Sequence, residues 1–394
     1  MEINLYALGS EADPYPTYAW LRREAPVYRE EELGTWVLSR YEDVYAALRD
    51  HATYSSANGI TPARGGGMTG SLPLITEDPP THTALRQIVN TAFTPRRVLE
   101  LTPDIDQVAA DLLDAIDTDD VEIVEALTVP LPVIVISRML GIAEGEHERF
   151  KRWSDAVAGT LDAGPASTPL EEMEIERRNA VVEMLTYLAQ VIAKRHAEPT
   201  DDLISLLVQA EIEGERMTDA QLVGFCVLLL IAGNETTTNL IGNVLNILLD
   251  RPELWARLRE DRSLVEGVLE ETLRFDSPVQ MLWRTVTRPV SLHGVDIPQG
   301  DMVMLGFASA NRDATEFPDP DTFNPERDWG SHVAFGYGIH YCLGSPLARV
   351  EANVALNAML DRYPTIERGE AEAVRVSSSV LRGFASLPVR VGSG

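Results

Sequence analysis

One stretch near the middle of the chain constrains the fold more than any other. Thr218-x-x-Gln221 has the spacing of a helix capping box, and Asp250-Arg251-Pro252 stops the pattern that follows. The span between them is about 30 residues, or ~45 Å at a rise of 1.5 Å per residue, long enough to cross a domain. Its first half is apolar on all sides, so protein must surround it. From Ala232 to Asn239 the composition switches to AGNETTTN. A polar cluster with a glycine is costly inside a buried helix unless it serves something there.

A second stretch, FGYGIHYCLGSPLAR from Phe335 to Arg349, holds Cys342, one of two cysteines in the chain. Gly336, Gly338 and Gly344 admit backbone angles and close approaches that a side chain would block. Pro346 suits the first turn of a helix, where its missing N–H costs little. Cys342 therefore lies just outside a helix N-terminus, where free N–H groups favour a thiolate. A thiolate on a rigid glycine-rich loop is suited either to attack a substrate or to bind a metal.

The order Phe335-x-x-Gly338-x-His340-x-Cys342-x-Gly344 resembles the haem-ligand loop of the cytochrome P-450 family, in its bacterial, unanchored form. Other motifs fall in the same order along the chain. The resemblance implies that Cys342 is the axial ligand of the iron in haem b (iron protoporphyrin IX), with Phe335 shielding the sulfur. It assigns haem-propionate contacts to His340, to His82 and Arg86 at helical i, i+4 spacing after Asp78-Pro79-Pro80, and to Arg284. Within AGNETTTN it makes Glu235 the proton-delivering acid and Thr236 the hydroxyl that hydrogen-bonds dioxygen. Glu235 stands where many relatives have Asp. Glu271 and Arg274, with Arg327 in FNPERD, match a structural ion-pair network that stiffens the haem-loop side. Leu228, Ala232, Val279 and Met281 fall where relatives touch substrate, although each also suits a plain core.

Elsewhere the pattern reads as mostly helix. Helices are expected at 13–24, 41–48, from Thr81 (as cap) onward, and at 104–117, 130–140, 146–158 and 170–196. Strands are expected around the EEELG turn and in three β-rich parts, about 25–40, 280–306 and 374–392. Residues 55–80, with Gly65-Gly66-Gly67 and Gly70, and the connector 159–169 break the periodicity, as lids and mobile connectors do. The fold expected is mainly α: one P-450 domain over residues 1–394, with the haem between the long central helix and the cysteine loop.

The 394 residues carry a formal net charge of −28, which argues against nucleic acid or an anionic membrane as a general partner. Two cysteines make no disulfide framework. The N-terminus shows no charged-then-apolar signal, and the apolar run Phe225–Ala232 is shorter than the roughly 20 residues of a span, so a cytoplasmic, monomeric protein is expected. The resemblance implies a monooxygenase that inserts one atom of O2 into an apolar small molecule by hydroxylation or epoxidation. A terpenoid, steroid, fatty acid or macrolide-like substrate is expected. Electrons would come from NAD(P)H through a ferredoxin and its reductase, because the chain has no GxGxxG fingerprint of its own. Arg96, Arg97 and Arg349 are expected to form a basic patch for that ferredoxin. A non-catalytic haem protein would need neither Glu235 nor Thr236. A cysteine hydrolase would need a base better placed than His340.

Overall fold

Thr218 caps the long helix from both directions. Its Oγ1 accepts the Gln221 N–H at 3.3 Å, its own N–H donates to Gln221 Oε1 at 2.9 Å, and the helix then runs unbroken from Asp219 to Leu249. A computed structural model describes this chain over residues 3, 11–31, 33–61, 72–142, 145–146, 149–154, 156, 171–212, 214–328 and 330–392. The triple glycine 65–67, Gly70 and the connector 159–169 lie outside the described residues.

The N-terminal corner holds α1 (Tyr15–Glu24), the antiparallel hairpin β1 (Val27–Glu30) and β2 (Thr35–Leu38), α2 (Tyr41–Arg49) and β3 (Tyr54–Ser55). Next come α3 (Thr81–Ala92), α4 (Pro95–Glu100), α5 (Thr102–Asp114), β4 (Asp120–Glu122), a π-helical turn (Val124–Thr128) and α6 (Pro130–Met139). The helices α7 (Glu171–Ala197) and α8 (Leu203–Gln209) precede the long helix, α9 (Asp219–Leu249). After it lie α10 (Pro252–Glu260), α11 (Leu264–Phe275), β5 (Leu282–Val286), β6 (Val290–Leu292), β7 (Val295–Ile297), β8 (Met302–Leu305) and the short α12 (Phe307–Ala310). The cysteine loop leads into α13 (Ser345–Arg362), and β9 (Ile366–Arg368), β10 (Val374–Arg375), β11 (Phe384–Ser386) and β12 (Pro388–Val391) end the chain.

Strands β1-β2-β8-β5-β3 make one sheet, parallel only where β2 meets β8, and β4-β12-β9 make another. Each of these sheets thus joins segments more than 200 residues apart in sequence. By length and composition α9 would also span a bilayer, contrary to the expectation from its longest apolar run. Here its apolar surface is taken up by protein, and the two halves serve different cores. Leu222 to Ile231 pack with α3, α7 and α8, whereas Leu240 to Leu249 pack with α5, α11 and α13. The polar stretch 232–239 falls in the gap between the cores.

Two local expectations change. Pro80, not Thr81, occupies the cap position of α3, and no side chain bonds there, because the preceding prolines already direct the chain into the helix. The π turn before α6 was invisible to a periodicity reading. Thr238 Oγ1 of α9 donates to its Thr128 carbonyl at 2.9 Å, tying the turn to the long helix.

Candidate active site

A cavity of about 290 Å³ separates the two cores, and the cysteine loop forms its floor. The loop is shaped by backbone. Gly338 has φ +70°, and a Cβ there would stand 2.5 Å from the Leu48 carbonyl of α2, so only glycine fits. The Cys342 N–H donates to Phe335 O at 3.0 Å, closing the loop ahead of α13. Burial pushes the Cys342 thiol up, against the Gly344 and Ser345 N–H groups and the charges of Arg86 and Arg349. The two N–H groups at the start of α13 favour the thiolate, as the sequence suggests, and burial opposes them. A bound metal cation would tip that balance toward the thiolate.

Arg86, Arg284 and His340 border the cavity, and His82 stands against His340. His82 of α3 is buried, and neither ring nitrogen has a hydrogen-bond partner. Its ring centroid lies 4.5 Å from that of His340. His340 is held by Ser56 Oγ at 2.8 Å from Nε2, a contact that nothing in the sequence announced. Arg86 makes no hydrogen bond or ion pair among the described residues, and Arg284 Nη1 donates only to the carbonyl of Trp283, at 2.7 Å. Burial lowers the Arg284 guanidinium to about 10, with Asp78 acting the other way. Burial, then the charge of Arg284, drops His340 to about 3, so it stays neutral. Buried cations without anions are costly. This cluster fits a ligand that brings two carboxylates.

The roof is the middle of α9. Ala232 is exposed within a helix whose neighbours Ile231 and Asn234 are buried, and it faces the cavity with Glu235 and Thr236. Thr236 Oγ1 donates to Ala232 O at 2.6 Å, and the helix runs unbroken through this stretch. With its one proton committed, Thr236 presents lone pairs to the cavity and acts there as an acceptor. Gly233 borders the cavity and also packs closely: a Cβ on it would stand 2.1 Å from Ile136 Cδ1 of α6.

Leu228 and Val279 border the cavity with Ala232, but Met281 does not. Alternation along β5 sends Leu282 and Arg284 toward the cavity. Met281 and Trp283 go the other way, into a core with Tyr18 and Leu21. Leu381, brought in by a bridge to Val279, completes this wall from the far end of the chain.

Below the loop, Glu271 Oε1 and Oε2 each receive Arg274 at 2.8 Å, both side chains being fully buried, and Arg327 Nε reaches Glu271 at 3.3 Å. Arg274 also donates to Asn311 O and Pro320 O, pinning the meander that leads to the cysteine loop. The expected basic patch is mostly neutralised. Arg349 is paired with Glu270 and Arg96 with Glu100, which leaves Arg97 exposed on α4.

The family model described as Cytochrome P450 matches residues 4–372. Cytochrome P450 109 of Bacillus spizizenii is 41% identical, over 99% of this chain and 95% of its own. Cytochrome P450 monooxygenase PikC of Streptomyces venezuelae is 38% identical over 98% of this chain and 94% of its own. The crystal structure of CYP109E1 from Bacillus megaterium in complex with testosterone superposes with a TM-score of 0.86, at 37% identity, over 96% of this chain and 99% of that one. Haem b suits these residues: a buried histidine with both ring nitrogens unpartnered, two arginines in no ion pair among the described residues, and a Gly344 whose absent Cβ would meet nothing within 4 Å.

Proposed function

The chain belongs to the cytochrome P450 family of haem-thiolate monooxygenases, and from that premise we propose that Cys342 is its iron ligand, with His82, Arg86, Arg284 and His340 receiving the propionates. The observation that carries this reading is a cluster of buried and half-buried basic groups, none in an ion pair among the described residues, beside the half-buried Cys342 thiol. When bound, haem b supplies activation of O2 and insertion of one oxygen atom into the substrate, the other leaving as water. Phe335 screens the cysteine sulfur from solvent. Glu235 borders the cavity next to Thr236 and brings in protons. Thr236, its own proton held by Ala232 O, accepts a hydrogen bond and keeps an acceptor fixed over the floor.

The wall formed by Leu228, Val279, Leu282 and Leu381 offers no charged group to a substrate. It suits a neutral apolar molecule of steroid, terpenoid, fatty-acid or macrolide type, and the relative crystallised with testosterone favours steroids as the first compounds to try. Electrons arrive from NAD(P)H through a ferredoxin and its reductase. With Arg97 the main unpaired charge on α4, that association depends only weakly on salt.

The first test is the absorption spectrum of the reduced protein under carbon monoxide. A strongly red-shifted Soret band, abolished in Cys342→Ser, is expected; the band of histidine-ligated haem would overturn the assignment. Testosterone titration into the ferric protein should move the Soret band toward the high-spin position. A spectrum unmoved by every neutral steroid would count against that class.

A further inference from the structure

Under the cysteine loop a single carboxylate organises several side chains that the catalytic reading leaves unused. Glu270 lies on α11, one residue before the Glu271–Arg274 pair, and is buried. Arg349 grips it as a fork, Nε to Oε1 at 2.5 Å and Nη2 to Oε2 at 3.0 Å. The Ala334 N–H donates to His332 Nδ1 at 3.3 Å, so the neutral His332 ring carries its proton on Nε2. That proton is given to Glu270 Oε2 at 2.9 Å. Burial works against the Glu270 charge, but His332 and Arg349 overcome it and hold the carboxyl at about 2. It is therefore ionised at any working pH.

Both held groups converge on Phe335. The Arg349 guanidinium lies 4.5 Å from the Phe335 ring centroid, and the His332 and Tyr341 rings stand 6.2 and 6.5 Å away. A guanidinium over an aromatic face is attractive and planar, so it fixes the ring's tilt as well as its position. Phe335 in turn accepts the Cys342 N–H through its carbonyl. The chain of contacts thus runs from Glu270 through Arg349 and His332 to Phe335, and from there to Cys342.

We propose that Glu270 is a positioning residue for the thiolate: it locks Arg349 and His332 around Phe335 and so sets the field and the shielding at Cys342 Sγ. This rests on Cys342 being the iron ligand. It also accounts for Arg349, which the sequence suggested as a docking cation and which the structure commits to Glu270 instead. Glu270→Gln keeps the size and an acceptor oxygen but leaves the Arg349 charge uncompensated near the sulfur. Arg349→Lys keeps the charge and loses the planar group over Phe335.

The experiment is a ferric/ferrous midpoint titration of haem-loaded wild type, Glu270→Gln, Arg349→Lys, Phe335→Leu and the Glu270→Gln/Phe335→Leu double variant. Glu270→Gln should raise the potential, because positive charge favours the reduced, more negative centre. Its effect and that of Phe335→Leu should combine to less than their sum, as expected for groups acting through one another. Arg349→Lys should shift the potential while retaining haem, which covers the case of a Glu270→Gln protein that fails to fold. Unchanged potentials in Glu270→Gln and Arg349→Lys, or strictly additive shifts in the cycle, would overturn the proposal. Absence of the red-shifted carbon monoxide band in wild type would instead sink the ligand assignment beneath it, so the two failures are told apart.

Discussion

Glu351 shows how much one side chain can depend on burial alone. It sits on α13 among the cavity-lining residues, almost wholly buried, with Oε1 unpartnered. Burial raises its carboxyl to about 8, against the pull of a hydrogen bond from Thr237, and no charged group contributes. The native state therefore binds this proton more tightly than the unfolded chain does. Between about pH 4.5 and the folded value of about 8, the folded protein holds more protons, so stability falls as pH rises through that window and levels off above it. Glu351→Gln removes the slope. The difference between wild type and variant should be on the order of 4 kcal/mol across the window as an upper bound, read from denaturant midpoints at about pH 5 and about pH 8.5. Parallel pH profiles for the two proteins would show that the acid is solvated in solution. Glu270 has the opposite sign: its stabilisation is present above about pH 4.5 and is lost as pH falls from there through its folded value of about 2.

At the scale of elements, α9 and α6 are pressed together at Gly233. Alanine there gains helix propensity of about 1 kcal/mol, but its Cβ meets Ile136 Cδ1 at 2.1 Å. That atom is the end of a flexible side chain at the cavity and can turn aside, so the clash offsets the helix gain and Gly233→Ala should leave stability within about 1 kcal/mol of wild type. Ile136→Val deletes the offending atom and leaves the next contact at an ordinary 3.5 Å. The double variant Gly233→Ala/Ile136→Val should therefore be more stable than the sum of the two single changes, as thermal melts can read. Additive effects would mean that the helices shift apart instead. The same contact sets where the roof lies over the floor, since Ile136 and Ala232 both border the cavity.

For the whole molecule, the Glu271–Arg274–Arg327 network links the helical side to the meander before Cys342. The Arg274 side chain is fully buried, so removing its counter-charge leaves a stranded cation. Glu271→Gln should cost roughly 3–5 kcal/mol and reduce the fraction of haem retained on purification. The check is haem content per chain together with the melting temperature; a fully loaded variant of unchanged melting temperature would remove the network from this role. Cooperation between distant parts is also visible in the sheets. There β12 pairs with both β4 and β9, and β8 joins the N-terminal hairpin to β5.

What could be read without coordinates was whatever is encoded over a few residues. Thr218 and Gln221 cap the long helix because their spacing lets each satisfy the other's backbone, and Gly338 and Cys342 lie in a loop whose turns need particular residues. Glu271 and Arg274 meet because three residues make nearly one helical turn. Other features depend on pairings across hundreds of residues, to which local spacing is blind. Met281 faces the core and Leu282 the cavity because of how β5 sits in its sheet, and Leu381 reaches the same wall from the far end of the chain. Ser56 holds His340, and Glu270 takes Arg349 away from the surface. The amino-acid order determined the family, the cysteine loop and the central helix, because local backbone geometry and periodic burial specify them. Tertiary packing alone decided which side chains share the cavity and which charges are already paired, because those depend on what each face meets.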